Sequence, residues 1–408
     1  MKCRHCFGEL SHRFLDLGFS PPSNRYLSRE DLSRSESHYP LRVFVCHSCW
    51  LVQTEDHASA GELFDHEYAY FSSTSSTWVA HARRYCQDVT ARFGLSQSSM
   101  VYEVASNDGY LLRNFVEAGI SCVGIEPTAS TADAAERLGI PVVREFFGMD
   151  CASRLVRARG PADLICGNNV YAHVPDINDF TAGLRVALRP GGTVTLEFPH
   201  LLQLIRHVQF DTVYHEHFSY LSLTAVDSVF RRAGLRVFDV QELPTHGGSL
   251  RVFGCHADDP RESSSAVSGM LGLERSEGLL KFETYLHFQA RAERIKNEFL
   301  AFLISERREG RRVAAYGAAA KGNTLLNFAG VRPDLLEFVC DAAPSKQGRY
   351  MPGSHIPILP PSELHARRPD TVVILPWNIA DEVMAQQSAV HSWGGRFAVA
   401  IPDVKVLG

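Results

Sequence analysis

The sequence predicts an α/β protein that combines a small cysteine-rich module with two larger units built on parallel sheets. Two Cys-x-x-Cys pairs lie in the N-terminal part of the chain, whereas the other cysteines are scattered singly. From residue 100 onwards, short apolar runs alternate with helical patterns, and the alternation resumes after residue 311. A chain of 408 residues has room for several such units, because single cores stop growing at about 250–300 residues.

The amino-acid composition argues against nucleic acids and membranes as partners of this protein. A hydrophobic share of 45% and a charged share of 21% are typical of a soluble globular protein. The net charge of −5 argues against a nucleic-acid or anionic-membrane partner, since such partners need a basic surface. No apolar run reaches the length of about 20 residues that a membrane span needs, and no signal peptide is visible. We therefore expect a cytoplasmic protein without nucleic-acid or membrane partners, and take a monomer as the working hypothesis.

The paired cysteines predict a structural zinc site. Two Cys-x-x-Cys turns separated by 39 residues present two sulfurs each, which is the ligand set of a tetrahedral zinc ion. Four thiolates leave no open position, so the ion is expected to stabilise a segment with little core of its own. Disulfides and a redox pair are the alternatives, and His5 and His47 inside the turns are expected to be exposed. The module is predicted at residues 1–65, with metal ligands Cys3, Cys6, Cys46 and Cys49.

Between this module and the middle unit, aromatic residues alternate with hydroxyl side chains. A flexible Ser/Thr linker would not keep aromatic rings, so Tyr68, Tyr70 and Phe71 predict a lid or a wall of the site. The amphipathic pattern over Trp78–Phe93 predicts a helix that leads into the middle unit. Residues 66–98 are thus the expected lid and entry helix.

The middle unit, expected at residues 66–260, has the pattern of a parallel sheet covered by helices on both faces. Two later runs flank a Pro-Thr-His-Gly-Gly turn and predict an antiparallel hairpin at the edge of the sheet. A parallel sheet with such a hairpin is the plan of class I methyltransferases, a Rossmann-like fold. The predicted strands are Met100–Ala105, Cys122–Ile125, Pro141–Val143, Asp163–Cys166 and Thr193–Phe198, followed by the hairpin strands Leu235–Leu243 and Ser249–Cys255.

Polar residues follow these strands at the edge where parallel sheets bind ligands. The first loop keeps Gly109, whereas Ala105 and Asn107 occupy two positions where glycine is common and lets the backbone approach a cofactor. Glu126 ends the second strand, where a carboxylate can accept both hydroxyls of a ribose. These features favour S-adenosylmethionine (SAM) over a dinucleotide, which stays the alternative. The expected cofactor-binding residues are Glu103, Ala105, Ser106, Asn107, Asp108, Gly109, Glu126, Asn168 and Asn169.

Four consecutive residues, Tyr214, His215, Glu216 and His217, combine a phenol, two imidazoles and a carboxylate. No packing or solubility requirement calls for such a cluster, whereas proton transfer does, because histidine titrates nearest to neutral pH. His173, in the loop after the fourth strand, is expected to face the same crevice. In an extended strand, the two histidines would face the side opposite to the tyrosine and the carboxylate. The residues alone leave open which histidine is the base.

Several motifs in order resemble one family, the zinc-containing sugar C-methyltransferases of antibiotic and polysaccharide deoxysugar pathways. The resemblance extends over nearly the whole chain and rests on the paired cysteines, Leu17–Asn24, Glu67–Ser73, Ser106–Gly109, Tyr214–His217 and Lys346–Gly353. It implies a protein that uses SAM to methylate carbon 3 of a nucleotide-linked keto-deoxysugar, next to a 4-keto group. The carbonyl acidifies the neighbouring C–H bond, so a base and a donor to the oxyanion together form an enolate.

The resemblance also implies roles for single residues. The expected catalytic residues are His217 as the base, together with Tyr214, Glu216, His173 and Tyr68. Tyr70 competes with Tyr68 for the aromatic role, since both lie in one short segment. His215 is expected to contact the substrate and stays the alternative base.

The C-terminal part, expected at residues 261–408, begins with a long helical pattern over Leu279–Ile304 and continues as a second Rossmann-like α/β domain. The run Gly317-Ala-Ala-Ala-Lys-Gly322 suggests a phosphate-binding turn at a helix start. The sequence shows no acidic residue as well placed for a ribose as the one in the middle unit. Lys321 and Asn323 are candidates for the diphosphate or nucleoside of the substrate, with close packing of small residues as the alternative.

Two rival functions stay open on the sequence. An oxidoreductase of a nucleotide sugar would hold NAD(P) in either Rossmann-like domain and would not respond to SAM. A zinc-ribbon adaptor with a decayed methyltransferase fold would bind SAM weakly and would not need His217.

Overall fold

The computed structural model describes residues 1–57 and 71–407, and within these ranges the strands form three sheets. The N-terminal module contains the antiparallel strands β1 (His12–Ser20), β2 (Tyr39–Val45) and β3 (Val52–Thr54). Leu41, Val43 and Val45 alternate along β2 with half-buried residues. Because a strand turns successive side chains to opposite faces, this alternation places one face of the sheet in the core.

The middle unit is a parallel sheet with an antiparallel edge hairpin, which confirms the predicted fold class. Its order is β10-β11-β8-β7-β4-β5-β6, which is the strand order of class I methyltransferases. The order reverses between β4 and β7, so the loops after these strands open a crevice at the carboxyl edge. In chain order the strands of this region are β4 (Met100–Val104), β5 (Ser121–Ile125), β6 (Val142–Val143), β7 (Ala162–Asn168), β8 (Leu188–Pro199), β9 (Ser219–Tyr220), β10 (Leu235–Leu243) and β11 (Ser249–His256).

Helices cover both faces of this sheet. In chain order the helices of this region are α1 (Ser76–Phe93), α2 (Leu112–Glu117), α3 (Ala129–Arg137), α4 (Met149–Arg159), α5 (Ile177–Ala187), α6 (Leu201–Arg206) and α7 (Leu223–Arg232). Of these, α6 packs with the N-terminal module and not on this sheet. Val101 and Leu164 pack with buried residues of α1 and α2, whereas Tyr102 and Ile165 pack with buried residues of α4, α5 and α7. The near-continuous apolar character of these strands reflects burial on both sides.

The C-terminal part forms a second Rossmann-like domain, as predicted. Its sheet runs in the order β14-β13-β12-β15-β16-β17, and only the last pair is antiparallel. No helix of the described chain combines the length and the apolar composition that crossing a bilayer requires. The elements are α8 (Ser265–Ser276), α9 (Phe282–Leu286), α10 (Phe288–Arg308), β12 (Val313–Tyr316), α11 (Ala320–Ala329), β13 (Val339–Cys340), β14 (Ile358–Leu359), α12 (Ser362–Arg367), β15 (Thr371–Ile374), α13 (Ala380–Gln386), β16 (Arg396–Val399) and β17 (Lys405–Leu407).

The expectation of a single helix over Leu279–Ile304 is wrong. The chain forms two helices that meet at His287, and the second continues to Arg308. The hydroxyl of Tyr285 donates to the carbonyl of Leu279 at 2.7 Å, which ties α9 to the turn before it, independently of α10. A 3.6-residue periodicity predicts an apolar face, but such a local tie can interrupt the helix that carries it.

One buried core joins the N-terminal module to the C-terminal domain. Strand β9 adds to the N-terminal sheet beside β3, which gives the order β1-β2-β3-β9. Phe14 and Val43 of the module, Phe210 and Val213 of the segment before β9, and Phe288 of α10 belong to the same buried cluster. The segment between α6 and β9, which carries the predicted acid–base run, is therefore packed between these two parts of the molecule.

Candidate active site

The four paired cysteines converge at one point of the N-terminal module. Their Sγ atoms all lie within 4.8 Å of one another, with 3.6 Å between Cys3 and Cys49 and 3.4 Å between Cys6 and Cys46. A tetrahedral ion with Zn–S bonds of about 2.3 Å separates its sulfurs by about 3.8 Å. The cluster has this size, so the four residues fit a structural zinc ion that leaves no position for a substrate.

The expectation that His5 is exposed is wrong, whereas His47 is exposed as expected. The His5 ring lies between two helices of the middle unit. Its Nδ1 is 2.8 Å from Asn178 Oδ1 on α5, and its Nε2 is 3.1 Å from Ser228 Oγ on α7. Because both ring nitrogens find a polar partner, the imidazole can be buried and docks the first cysteine turn on the methyltransferase-type sheet.

The loop after β4 has the backbone that a cofactor loop needs. Ala105, Asn107 and Gly109 have φ angles of 57°, 50° and 80°, all in the left-handed region that favours glycine. A Cβ at Gly109 would lie 2.5 Å from the Ile140 side chain, so this position accepts no side chain. Asparagine tolerates the left-handed region, whereas an alanine is held there at a cost of about 1–2 kcal/mol. Ala105 and Asn107 thus have the left-handed backbone conformation that glycine would adopt at these positions.

Glu126 fastens this loop to the end of β5. Its Oε2 accepts the backbone N–H of Asn107 at 3.0 Å, and its Oε1 accepts the backbone N–H of Thr128 at 2.9 Å. Burial raises the pKa of Glu126 above its usual value. Each carboxylate oxygen has two lone pairs, so the group retains capacity for the hydroxyls of a ligand.

Buried polar atoms without a hydrogen-bond partner surround the loop. Among the described residues they are Glu103 Oε2, Ser106 Oγ, Asp108 Oδ1 and both amide atoms of Asn168. Burial, together with the charges of Asp108 and Glu126, raises the pKa of Glu103 well above its usual value. Leaving such a group unpaired costs about 1–3 kcal/mol, and a bound polar ligand removes that cost. The crevice therefore fits SAM, whose ribose, ammonium and carboxylate groups offer matching partners.

The described part of the predicted lid, which starts at residue 71, reaches this loop. The backbone N–H of Ser72 donates to Asn107 Oδ1 at 2.9 Å, and that of Ser73 donates to Asp108 Oδ2 at 3.0 Å. Tyr68 and Tyr70 lie outside the described residues, so their expected roles stay predictions.

The backbone turns between Tyr214 and His217, so the extended arrangement does not occur. The N–H of His217 donates to the carbonyl of Tyr214 at 3.0 Å. The turn brings the centroids of the two rings to 3.9 Å, and the His173 ring lies 4.6 Å from that of His217. Since Asn168 ends β7 and His173 lies in the loop that follows, this part of the chain connects the cofactor crevice to the cluster.

His217 and His173 are both held as neutral imidazoles. Nδ1 of His217 lies 2.9 Å from the carbonyl oxygen of Thr212, which can only accept, so Nδ1 carries the proton and Nε2 is basic. Nδ1 of His173 is bound in the same way by the carbonyl of Glu216 at 2.8 Å. Burial, with His173 nearby, lowers the pKa of His217 well below its usual value, and burial lowers the pKa of His173 to about 4.

Glu216 and His215 have different surroundings. The buried Glu216 carboxylate has Oε1 at 3.3 Å from both nitrogens of Asn24 in the N-terminal module, and burial raises its pKa. Nε2 of His215 lies 3.3 Å from the carbonyl of Pro40 on β2. The turn therefore places His217, and not His215, beside Tyr214 and His173.

His246 also lies at this candidate site, although it was not predicted from the sequence. His246 lies in the Pro-Thr-His-Gly-Gly turn of the edge hairpin and accepts a hydrogen bond at Nε2 from Asn169 Nδ2 at 2.9 Å. Its ring centroid is 5.1 Å from that of Trp78, and burial together with the charge of Lys321 lowers its pKa to about 4. In the sequence, this histidine stands beside two glycines at the edge of the sheet where ligands bind. That pattern predicts a hairpin turn, and a loop histidine at such an edge also indicates a functional residue.

The two C-terminal candidates differ in position. Nζ of Lys321 donates to Asn378 Oδ1 at 2.7 Å, and its ammonium is close enough to His217 to contribute to that ring's lowered pKa. Burial lowers the pKa of Lys321 itself. Asn323 is wholly buried, and its Nδ2 donates to the carbonyl of Ser23 at 2.6 Å. Lys321 thus borders the histidine cluster, whereas Asn323 ties the C-terminal domain to the N-terminal module.

An acidic residue does occupy the C-terminal position where none was expected. Asp341 directly follows β13, as Glu126 follows β5. It accepts the backbone N–H groups of Ala318, at 2.7 Å, and of the residue two positions after itself, at 2.8 Å. The carbonyl of Ala318 accepts the Tyr26 hydroxyl at 2.5 Å and Lys346 Nζ at 2.8 Å. Protein groups therefore satisfy the turn after β12.

Comparison with known families gives matches over most of the chain. A family described as a zinc binding domain matches residues 3–64, one described as a methyltransferase domain matches residues 78–240, and one described as a C-methyltransferase C-terminal domain matches residues 244–402. The C-methyltransferase NovU from Streptomyces niveus is 34% identical over 406 residues, which cover 100% of this chain and 96% of that protein.

Solved structures match over about half of the chain or less. The 1,6-didemethyltoxoflavin-N1-methyltransferase of Burkholderia thailandensis is 17% identical, covers 51% of this chain and 96% of its own, and has a TM-score of 0.38. The magnesium protoporphyrin IX methyltransferase of Synechocystis PCC 6803 is 12% identical, covers 43% of this chain and 82% of its own, and has a TM-score of 0.35.

Proposed function

Because this chain belongs to the C-methyltransferase family and is thus a SAM-dependent C-methyltransferase, we propose that it methylates carbon 3 of a nucleotide-linked 4-keto-deoxysugar. Family membership decides against the oxidoreductase and the non-catalytic adaptor. The observation that carries the finer proposal is the neutral imidazole of His217 beside the cofactor crevice. A base of this kind is required when a saturated carbon next to a ketone accepts the methyl group, because that carbon must first lose a proton.

In this proposal, Nε2 of His217 removes the proton from carbon 3. The electron pair of the C–H bond moves into the adjacent ketone, which becomes an enolate with its charge on oxygen. The lowered pKa keeps the imidazole unprotonated before the substrate binds. The negative charge of a nucleotide sugar favours the imidazolium, so substrate binding strengthens the base where it is needed. His217 then releases the proton to solvent after the product leaves.

The enolate oxygen requires a hydrogen-bond donor. Tyr214 carries a hydroxyl on a ring that packs against His217, and we assign it to this oxyanion. His173 in its bound tautomer carries no proton on Nε2 and cannot donate to the oxyanion, so we assign it to the side of the site that holds the sugar. Glu216 Oε2 is a buried acceptor without a partner among the described residues, and we assign it to another polar group of the sugar. Tyr68 is assigned to the same site on the family resemblance.

The cofactor crevice binds SAM, which supplies the methyl group that the carbanionic carbon accepts. Glu126 is proposed to accept the ribose hydroxyls, since it is the carboxylate that follows the second strand of the sheet. The remaining contacts of the cofactor are assigned to the polar side chains around the loop, namely Glu103, Ser106, Asp108, Asn168 and Asn169.

The charged part of the substrate is assigned to the C-terminal domain. The ammonium of Lys321 lies at the border of the histidine cluster and is proposed to bind the diphosphate. Asn323 is bonded to the carbonyl of Ser23, so we propose that it supports the site through packing and does not touch the nucleotide.

The test is incubation of the protein with SAM and a panel of nucleotide-linked 4-keto-6-deoxysugars, followed by mass spectrometry. We expect a gain of one CH₂ unit on at least one sugar, located at carbon 3 by NMR. The matched control is the same sugar with a hydroxyl in place of the ketone, which cannot form the enolate. Methylation of the control at an equal rate, or a product methylated on oxygen, would contradict the proposal.

A further inference from the structure

Strand β3 connects the zinc-binding cysteines to the proposed base. It begins at Val52, three residues after the metal ligand Cys49, and ends at Thr54. On one side it pairs with β2, and on the other it pairs with β9, the strand that follows the catalytic turn. A short and fully buried piece of chain thus spans the distance between the two sites.

At the cysteine end, the buried side chain of Gln53 binds the first cysteine turn twice. Its Nε2 donates to Cys3 Sγ at 3.2 Å, and its Oε1 accepts the backbone N–H of Arg4 at 2.9 Å. Hydrogen bonds to ligand atoms orient a metal site and stabilise the charge of a thiolate. Gln53 therefore links the position of β3 to the geometry of the cysteine cluster.

At the other end, Thr54 binds the main chain of the base. Its Oγ1 donates to the carbonyl of His217 at 3.2 Å, and its N–H donates to the carbonyl of Phe218 at 3.2 Å. The imidazole of His217 is bonded separately to Thr212. Backbone and ring of the histidine are thus restrained from two directions, and one of them is β3.

Arg4 lies between the two cysteines of the first turn and connects this turn both to β3 and to the loop that carries His173. Its guanidinium donates to the carbonyl of Thr54 at 3.0 Å and to the carbonyl of Pro175 at 2.8 Å. Pro175 lies two residues after His173, in the loop that presents this ring to the site. One cysteine turn therefore contacts both of the segments that carry the active-site histidines.

We propose that the zinc-binding cluster positions the two active-site histidines through Gln53, Thr54 and Arg4, an inference that rests on the proposed role of His217 as the base. These three are positioning residues that touch neither substrate nor cofactor. A catalytic group must be held within about 0.5 Å of its productive position, and a misplacement of about 1 Å costs about 10²-fold in rate. A closed metal site fixes the two cysteine turns, which contact β3 and the loop after β7 through Gln53 and Arg4.

The test uses the full-length zinc-loaded protein and two variants at opposite ends of β3. Gln53→Glu keeps the shape of the side chain but replaces the N–H donor with a carboxylate oxygen that faces the thiolate. Thr54→Val removes the hydroxyl that binds His217 and leaves the cysteine cluster untouched. Each variant is assayed for deuterium wash-in at carbon 3 of the keto sugar without SAM, for the thermal shift with S-adenosylhomocysteine, and for zinc by metal analysis.

We expect wash-in to fall about 10-fold or more in each variant, because each removes one of the hydrogen bonds that connect the cysteine cluster to the base, with an unchanged shift by S-adenosylhomocysteine. The kcat of methyl transfer should fall while KM for the sugar stays the same. In the double variant the losses should be less than multiplicative, because both act on one strand. Zinc should remain at the unsubstituted level in Thr54→Val.

The matched control is Gln289→Glu. Gln289 on α10 also binds the N-terminal module by two hydrogen bonds, accepting the N–H of Asp16 at 2.8 Å and donating to its carbonyl at 3.1 Å. It does so on β1, the strand at the opposite edge of this sheet from β9. Its substitution should lower stability and leave wash-in unchanged.

Two outcomes would overturn the proposal. Unchanged wash-in in both β3 variants would show that the strand does not position the base. A parallel loss of wash-in and of S-adenosylhomocysteine binding, equal in Gln289→Glu, would reduce the module to a general stabilising element. Absence of wash-in in the unsubstituted protein would instead refute the proposed function, and with it the premise of this inference.

Discussion

The loop after β4 and the turn after β12 are each held by the carboxylate of one acidic residue, but they differ in the hydrogen bonding of the polar groups around them. In each sheet a carboxylate directly follows the neighbouring strand, Glu126 after β5 and Asp341 after β13. Each accepts one backbone N–H from the loop of the preceding strand and one from the residue two positions after itself. The two Rossmann-like halves thus share their local geometry.

The surroundings of the two loops differ. Around the first loop, buried polar atoms of Glu103, Ser106 and Asp108 have no hydrogen-bond partner among the described residues. At the second turn, Tyr26 and Lys346 both donate to the carbonyl of Ala318, and the unpartnered buried atoms nearby are Asn323 Oδ1 and Ser23 Oγ. Because an unsatisfied buried polar group is costly, it persists where a ligand completes it. The difference supports a cofactor site at the first loop and a structural role for the backbone of the second turn, beside which Lys321 is proposed to bind the substrate.

The first prediction has the largest expected effect, and it tests whether His217, beside the cofactor loop, is the base. His217→Asn retains a hydrogen-bond donor for Thr212 but removes the base, so deuterium wash-in at carbon 3 should fall by about 10²–10⁴-fold. Binding of S-adenosylhomocysteine, measured by calorimetry, should not change. Retained wash-in in this variant, together with its loss in His215→Asn, would transfer the role of base to His215.

The second prediction compares two isosteric substitutions at equivalent positions. Glu126→Gln and Asp341→Asn each place an NH₂ group where a carboxylate oxygen accepts a backbone N–H. Glu126→Gln should weaken S-adenosylhomocysteine about 10–100-fold, because hydrogen bonds to a charged group contribute about 1.5–3 kcal/mol. Asp341→Asn should lower the free energy of unfolding by about 1–3 kcal/mol and leave the affinity unchanged.

Calorimetric titration and urea denaturation of the same two variants separate these effects. A loss of cofactor affinity in Asp341→Asn that equals the loss in Glu126→Gln would break the distinction between the two loops. An unchanged affinity in both variants would show that neither carboxylate contacts the cofactor.

The third prediction concerns acid stability. Burial lowers the pKa of His173, His215 and His246 to about 4, whereas the unfolded chain takes up these protons near pH 6.5. The folded state therefore binds fewer protons, and its stability is lost as the pH falls from about 6.5 to about 4. One pKa unit corresponds to about 1.4 kcal/mol, so each histidine contributes a loss of up to about 2 kcal/mol by pH 5.

The C-terminal half should respond at lower pH. Burial alone would raise the pKa of Glu306, but Arg311, Thr371 and Arg396 lower it to about 2. A carboxylate with a depressed pKa gives stability that is present above about pH 4.5 and is lost as the pH falls towards 2. Hydrogen-exchange mass spectrometry at pH 7 and pH 5 should show easier opening of segment 171–220 and unchanged protection of β12 and β15. An equal loss of protection in segment 171–220 and in strands β12 and β15 would contradict the assignment of acid sensitivity to the buried histidines.

The smallest expected effect compares the backbones of the two loops. Ala105 has φ 57°, and its replacement by glycine removes strain of about 1–2 kcal/mol at an entropic cost of about 0.5–1 kcal/mol. Ala105→Gly should therefore raise the free energy of unfolding by up to about 1.5 kcal/mol. Ala319 has an ordinary φ of −92°, so Ala319→Gly should lower it by about 0.5–1 kcal/mol. Urea denaturation measures both, and the same sign in the two variants would contradict the prediction.

Much of the fold and part of the site could be predicted from the sequence, because these features depend on short-range patterns. The spacing of the cysteines, the alternation of strands and helices, and the position of Glu126 at a strand end are visible within a few residues. His246 and Asp341 were missed because their surroundings come from other parts of the chain: His246 meets Asn169, and Asp341 meets Ala318. The break at His287 was missed because periodicity shows an apolar face and not the continuity of a helix.

The α/β class, the four cysteine ligands and the run of proton-transferring side chains can be predicted from the sequence, since each depends on residue types at fixed spacing. Which histidine lies beside Tyr214 depends on the folded chain, because a single turn brings the ring of Tyr214 against that of His217. The tertiary structure also decided that β3 lies beside β9, which joins residues 52–53 to residues 219–220. Pairing across such a separation depends on the packing of whole sheets, and no local pattern in the chain specifies it.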